Sequence, residues 1–547
     1  MANGDRGHLW SGFWVTSLGT LASRVLGLVR DMATAALLGL GEGTVMDAFV
    51  IAFRVPNLLR RIFGEGALAA SFLPVFTFQF QRDPRRAWQL LSVLFTWLAL
   101  LLSACALAGE GICAALWWVD GRGAGSAELV GLTAAMLPYM VSICLAAQAS
   151  AALQALYQFR WPAVSPVLLN VCWLAAVWAV APHFAADKLA QAYVIAAAVL
   201  VSGVLQLAVQ LPALVRLGFR FDYDWPASRQ AFWQVGRAML PITLGMAVTQ
   251  LNTLMDSLIA WGLSAEGGTS QSIAWLGNAV NYPMQSGAVA AIYYGERFYQ
   301  FPVGILGLAI ATVIYPLLSR HAARGETAQI GVDLTLGLRL VWFTALPAGI
   351  GIILVAHPLT RLLFERGQFT ADDAARAARM IACYAGGVWA YCAIPVLVRG
   401  YYAVGDRITP AKIGLVAVAL NFALNLLLVW PLAENGLAIA TATAAGVQVA
   451  LLAITFSRTA SRLAWSALRS TLAKSALAAA LMSIGVVGLE HFVFTQPDPT
   501  RLQRAMQLSL TIGAAIIVYL ATAWLFGMHE LRLLFGRRRP GRDETGP

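Results

Sequence analysis

Residues 23–66 run S-R-V-L-G-L-V-R-D (23–31), M-A-T-A-A-L-L-G-L (32–40) and, after a short glycine-rich link, M-D-A-F-V-I-A-F-R-V-P-N-L-L-R-R-I-F-G-E-G (46–66). Both halves are apolar enough for membrane helices, yet they carry Arg24, Arg30, Asp31, Asp47, Arg54, Arg60, Arg61 and Glu65. A charge at mid-bilayer costs about 2.5–3.5 kcal/mol on insertion scales. So dense a cluster persists where it faces water, partner charges or a charged ligand. This is where function is expected to lie.

The rest of the chain has the composition of a polytopic membrane protein. Of 547 residues, 59% are hydrophobic and 12% charged, against about 25% charged in soluble domains; the mean hydropathy is +0.69. Apolar runs near the ~20 residues that span a bilayer recur from end to end. No small-residue cleavage site follows the first apolar run, so a removable signal is not expected. The six cysteines all lie in apolar stretches without metal-type spacing, as small core residues do. The net charge of +11 follows the loops rather than a basic aromatic module, so it reports topology and not nucleic-acid binding.

Fourteen spans are expected, near 11–38, 44–77, 88–119, 127–157, 161–182, 188–217, 228–263, 285–320, 333–355, 376–404, 409–430, 433–457, 470–492 and 504–527. Lysine and arginine collect on alternate loops (Arg82, Arg85, Arg86; Arg216, Arg220, Arg229; Arg458, Arg462, Arg469) and in the C-terminal R-R-R-P-G-R. That bias places both termini in the cytoplasm. Loop 356–379 breaks the rule, with Arg361, Arg366, Arg376 and Arg379 on the outer side.

A weak internal repeat relates F-R-V-P…A-S-F-L-P-V-F (53–76) to Y-Q-F-P…A-T-V-I-Y-P-L-L (299–318), and 155–163 to 400–411. It predicts an all-α protein of two six-helix lobes (1–217 and 218–457), a common transporter plan. Two extra helices and a basic tail (458–547) stand outside the repeat.

Asp47, Arg54 and Arg61 are spaced by seven, as are Arg24 and Asp31, which places each set on one helical face. Gly27 and Pro56 are expected to interrupt the helices beside these charges. The eighth span adds Glu296 and Arg297. Arginine stays charged and its planar fork donates bidentate hydrogen bonds, which suits phosphate. Arginines converging from the first, second and eighth spans would hold a diphosphate-like head group. The plainer alternative is a set of structural ion pairs, which accounts for single residues but not for the excess of arginine.

A second constellation combines Asp256, the lone acid of the seventh span, with Asn421, Asn425 and Thr441. Oxygen ligands of this type suit a hard cation such as Na⁺, and Asp256 could instead take a proton; the alternative for the amides and hydroxyl is interhelical hydrogen bonding. No zinc-protease, Walker or nucleophile–base motif is present, so an enzyme is not expected and transport is not driven by ATP on this chain.

At 23–31, 46–67 and Y-Y-G-E-R-F-Y-Q-F-P-V-G-I-L-G (293–307) the chain resembles the MurJ (MviN) family. These are bacterial lipid II flippases of the multidrug/oligosaccharidyl-lipid/polysaccharide exporter superfamily. F-E-R-G-Q-F-T-A-D-D (364–373) and G-D-R-I-T-P-A-K-I (405–413) extend the likeness over essentially the whole chain.

The resemblance implies a multi-pass protein of the bacterial cytoplasmic membrane. It would move undecaprenyl-diphosphate-linked disaccharide-pentapeptide to the outer leaflet by alternating access. Membrane potential or a Na⁺ or H⁺ gradient would drive the movement, and membrane lipid and the cell-wall synthesis machinery would be its partners.

Family cavity residues would fall on Ser23, Arg24, Arg30, Asp47, Arg60, Arg61 and Arg297, with Arg54 where some members have lysine. Asp31, Asp47, Glu65 and Glu296 would pair or gate, and the last two helices would form a groove for the prenyl tail. Gln300 stands where well-known members have an acid and Ala290 where a serine can occur, and the 264–284 outer loop is long. Competing readings are a flippase for another prenyl-diphosphate glycan, a cation-coupled drug exporter, and a non-transporting scaffold for cell-wall enzymes.

Overall fold

The computed structural model describes the chain except residues 1–3, 41–42, 121–123, 186, 266–271, 274–279, 494–499 and 536–547. The side chains of 4–13, 64–67, 69–70, 120, 124–125, 241, 244–249 and 534–535 also lie outside the described set, and Glu65 is among them. The chain forms two compact units, residues 1–290 with 366–373, and residues 291–365 with 374–547.

The first unit holds α1 (Gly4–Leu38), α2 (Val45–Leu59), α3 (Ala67–Arg82), α4 (Pro84–Asp120), α5 (Ala124–Met136), α6 (Tyr139–Ala155), α7 (Arg160–Ala175), α8 (Lys188–Ala208), α9 (Leu211–Arg216) and α10 (Trp225–Gly262). Within it α1 packs on α7, α2 on α5, and α10 on α3 and α4. Phe72, Phe76, Trp88 and Phe219 form an aromatic string between α3, α4 and the segment after α9. In the loop after α10, β1 (Ser264–Ala265) pairs in parallel with β2 (Met284–Gln285).

The second unit holds α11 (Ala288–Pro302, its first turn in the first unit), α12 (Leu308–Ala323), α13 (Thr327–Phe364), α14 (Ala371–Ala385), α15 (Val388–Ala403), α16 (Ile408–Leu432), α17 (Glu434–Thr459), α18 (Trp465–Phe492), α19 (Arg501–Leu525) and α20 (His529–Phe535). Its core lies where α12, α13, α15 and α17 meet, around Leu338, Val341, Val396, Leu452 and Phe456.

Eleven helices among the described residues are long and apolar enough to cross a membrane. The three other expected spans fall on α1, on α2–α3 and on α10. Gly27 does not interrupt α1, and Pro56 lies inside α2. The break comes instead at a π-helical turn, Arg60–Gly66.

The internal repeat is visible in this irregularity. α2 and α11 each have 15 residues and begin at 45 and 288, an offset of 288 − 45 = 243. Each runs into a π-helical turn, Arg60–Gly66 or Val303–Gly307, and then into a 16-residue helix with an internal proline, Pro74 or Pro316. α6 and α15 both end on a left-handed residue, Tyr157 (φ 59°) and Gly405 (φ 84°).

α18–α20, outside the repeat, are fastened to α13. Glu530 of α20 is 2% exposed and accepts from Arg339 Nε (2.8 Å) and Thr471 Oγ1 (2.6 Å); at the other end Arg504 lies 3.7 Å from Glu365. The same pairing explains part of the arginine excess in loop 356–379: Arg361 binds Glu365, and Arg376 binds Glu434 at 3.1 Å.

One close backbone junction closes the first unit. Gln368 N–H donates to Ala36 O at 2.9 Å. Gly39 (φ +72°) and Gly367 (φ +60°) flank it, and a Cβ on Gly367 would stand 2.3 Å from Ala36 O. Gly325 has the same left-handed backbone (φ +72°) with open space around it. Gly325→Ala should therefore cost about 1 kcal/mol from backbone conformation alone, whereas Gly367→Ala adds a backbone clash and should lower the melting temperature in detergent several degrees further.

A second expectation concerns pH. Burial works against the Glu530 charge, but Thr471, backbone and Arg339 hydrogen bonds outweigh it and hold its carboxyl below the usual carboxylate range. A lowered folded pKa gives stability that is present above the ordinary value of about 4.3 and is lost as pH falls through the folded pKa. Thermal unfolding of the wild type should lose stability as pH falls below the ordinary value. Glu530→Gln should be less stable at neutral pH, because it strands Arg339, and flatter across the acid range.

Candidate functional site

The face predicted from the seven-residue spacing exists and is turned toward α10 and the start of α11. Asp47, 1% exposed, accepts from Gly287 N–H and Ala290 N–H, both at 2.8 Å. The carboxylate thus caps the N-terminus of α11, where unsatisfied amides and the helix dipole favour negative charge. Ala290 takes part through its backbone, so the missing hydroxyl does not affect this contact. One turn-pair further along α2, Arg54 Nη1 donates to Thr253 O at 2.9 Å. Arg61, in the π turn, donates to Gln250 Oε1 at 3.0 Å. Gln250 and Thr253 are neighbours on one face of α10, so each of these arginines is committed to the same helix. Arg60 donates through Nε to Asn57 Oδ1 of α2 at 2.8 Å.

α1 carries a second cluster. Arg30 is 6% exposed and donates through Nε (3.1 Å) and Nη2 (2.8 Å) to Asp31 Oδ1. Its guanidinium carbon lies 4.6 Å from the centroid of the Trp173 ring of α7. Arg24 shares a predicted face with Asp31 but not its surroundings. It is exposed and, among the described residues, makes no hydrogen bond or ion pair. Beside it the Ser23 carbonyl accepts from Asn170 Nδ2 of α7 at 3.1 Å. Trp173, Asn170, Gln250 and Thr253 carried no signal in the sequence. A tryptophan, an amide or a backbone carbonyl in an apolar span looks the same whether it faces lipid or an arginine.

In the second unit Glu296 is buried. Arg297 donates to Tyr293 OH and lies 4.6 Å over the Tyr293 ring. Arg54 and Arg297 are each the tenth residue of their 15-residue helices. Gln300 is exposed.

The second constellation divides. Asp256 is buried (2% exposed) in the first unit. In the second unit Asn421 Nδ2 donates to Thr441 Oγ1, and Asn425 Nδ2 to Asn421 Oδ1, both at 3.0 Å. Thr441 Oγ1 donates to Leu437 O. This ladder joins α16 to α17 as polar side chains commonly join membrane helices. Among the described residues no group of three or more His, Cys, Asp or Glu side chains could hold a metal ion.

The family described as Lipid II flippase MurJ matches residues 35–502. The probable lipid II flippase MurJ of Vibrio cholerae is 32% identical, over 95% of this chain and 96% of its own. The lipid II flippase MurJ of Burkholderia cenocepacia is 33% identical, over 72% and 73%.

Among solved structures, a lipid II flippase MurJ in an inward closed conformation has a TM-score of 0.72 at 21% identity, covering 93% of this chain and 98% of that one. An inward-facing multidrug resistance MATE family transporter of the MOP superfamily has a TM-score of 0.58 at 13% identity, covering 82% and 96%. These two show a shared helical transporter fold. The family match over residues 35–502, with relatives at 32–33% identity aligned over 96% and 73% of their own length, places this multi-pass membrane chain in the MurJ family.

Proposed function

We propose that the protein is a lipid II flippase of the bacterial cytoplasmic membrane, not an enzyme. It would carry undecaprenyl-diphosphate-linked disaccharide-pentapeptide from the inner to the outer leaflet by alternating access, with both termini in the cytoplasm. Family membership supplies the substrate. The observation that carries the chemistry is the arginine excess of α1, α2 and the π turn, above all Arg24, a permanent cation in an apolar helix with no protein partner among the described residues. A membrane-embedded anion with several phosphate oxygens satisfies such a set, because each guanidinium offers parallel N–H donors in one plane.

In this reading Ser23, Arg24, Arg30, Arg54, Arg60, Arg61 and Arg297 form the head-group site. Asp31, Asp47 and Glu296 balance part of the charge and hold the gate, and Glu65 would share that role. Membrane potential or an ion gradient drives the cycle; one charge crossing 100 mV releases about 2.3 kcal/mol. Asp256 is proposed to take up the coupling ion, a proton or Na⁺. Membrane lipid and the cell-wall synthesis machinery are the proposed surroundings, with no role for nucleic acid.

Depletion should leave lipid II in the inner leaflet and cause lysis, measured by the leaflet distribution of labelled lipid II. A normal distribution in depleted cells would refute the flippase reading, and accumulation of a different prenyl-diphosphate glycan would redirect it. Arg24→Ala and Arg297→Ala should each fail to complement while reaching the membrane in normal amount; full complementation by both would favour a scaffold.

A further inference from the structure

Arg30 poses a problem that Asp31 alone does not solve. Adjacent residues on a helix point in different directions, so the ion pair forms only if the Arg30 side chain curls around the helix surface. Two of its five N–H donors, Nε and Nη2, then converge on a single oxygen, Asp31 Oδ1. That contact brings the oxygen near the guanidinium plane but does not by itself fix the tilt of the plane about the line to that oxygen.

Trp173 determines the plane. The guanidinium lies over its face at 4.6 Å, inside the ~6 Å range of cation–π attraction. The ring itself cannot turn. Its Nε1–H donates to Thr34 Oγ1 at 2.9 Å, and the Thr34 hydroxyl donates to the Arg30 carbonyl at 2.9 Å. Phe49 and Phe53 of α2 meet the indole edge-to-face, at 5.4 and 5.2 Å with interplanar angles of 89° and 88°. Trp173 is 2% exposed, so solvent does not compete for its N–H. One indole therefore ties α1, α2 and α7 together and takes its orientation from the backbone of the residue whose side chain it stacks on.

We propose that Trp173 is a positioning residue for Arg30. Stacking occupies a face of the guanidinium and no N–H bond, so the donors stay in the plane through which an arginine grips phosphate oxygens. The inference rests on the lipid II reading of the head-group site. A residue needed only for packing could be any bulky apolar side chain; a positioning residue must act through Arg30 and must offer a π face.

The test uses the full-length protein in nanodiscs and measures lipid II affinity and melting temperature for Trp173→Phe, Trp173→Leu, Arg30→Gln and the Arg30→Gln/Trp173→Leu double variant. Trp173→Phe keeps a π face and should remain within about threefold of wild type, while Trp173→Leu should bind about tenfold more weakly. In the Arg30→Gln background Trp173→Leu should add less than about twofold, since interaction through one partner is lost once that partner is gone. If Trp173→Leu does not fold, Thr34→Val, which removes the hydrogen bond orienting the ring, should weaken binding severalfold in the wild type and not beside Arg30→Gln.

An equal effect of Trp173→Leu in both backgrounds, or a lower melting temperature with unchanged affinity, would overturn the positioning role and leave the flippase reading intact. Unchanged lipid II affinity in Arg30→Gln would remove Arg30 from the head-group site, and this inference with it.

Discussion

A charged side chain in an apolar helix must find a partner, and much of the first unit is arranged to provide one. Asp47 receives two backbone amides at the start of α11. Arg54 and Arg61 reach a carbonyl and an amide on α10, and Arg30 is held between Asp31 and Trp173. Burying an ion without such contacts costs several kcal/mol. The packing of α10 on α2 and of α7 on α1 is therefore specified by polar groups more sharply than by apolar ones, which in lipid discriminate weakly between helix faces. Arg24 falls outside this scheme, and that exception directs attention to an external anion.

The sequence made the helices, the charged faces and the family legible because each leaves a local trace. Span length, a seven-residue spacing and a stretch of family motif need no knowledge of the partner helix. The partners themselves were not legible. Thr253 contributes a carbonyl, which every residue has, and Gln250 and Trp173 become informative only once their helices are placed. The same limit applied to Gly27: glycine was expected to break α1, yet α1 runs through it, while the actual irregularity is a π turn that begins at Arg60. Tertiary context decides where a helix yields, and single-residue propensity ranks below it. Two of the four arginines of loop 356–379, which break the charge rule, are accounted for by Glu365 beside Arg361 and Glu434 beside Arg376.

Of the three π-helical segments among the described residues, Arg60–Gly66 and Val303–Gly307 follow matching 15-residue helices and so extend the repeat, while Ala176–Val180, after α7, stands outside this pairing. A π-helical insertion is costly and often sits at functional positions. Its recurrence after equivalent 15-residue helices, each carrying an arginine at the same place, shows that the halves share a local design even where their residues have diverged.

The junction at Gly39 and Gly367 has a mechanical consequence. Two bare backbones meet there, and Gln368 N–H donates to Ala36 O between them. Close contacts of this kind decay within an ångström, and one hydrogen bond contributes only about 1 kcal/mol net. Such a joint is well defined when seated and inexpensive to unseat, a short-range detent rather than a weld. A pair of interlocking side chains would hold more strongly but would also resist release over a longer path.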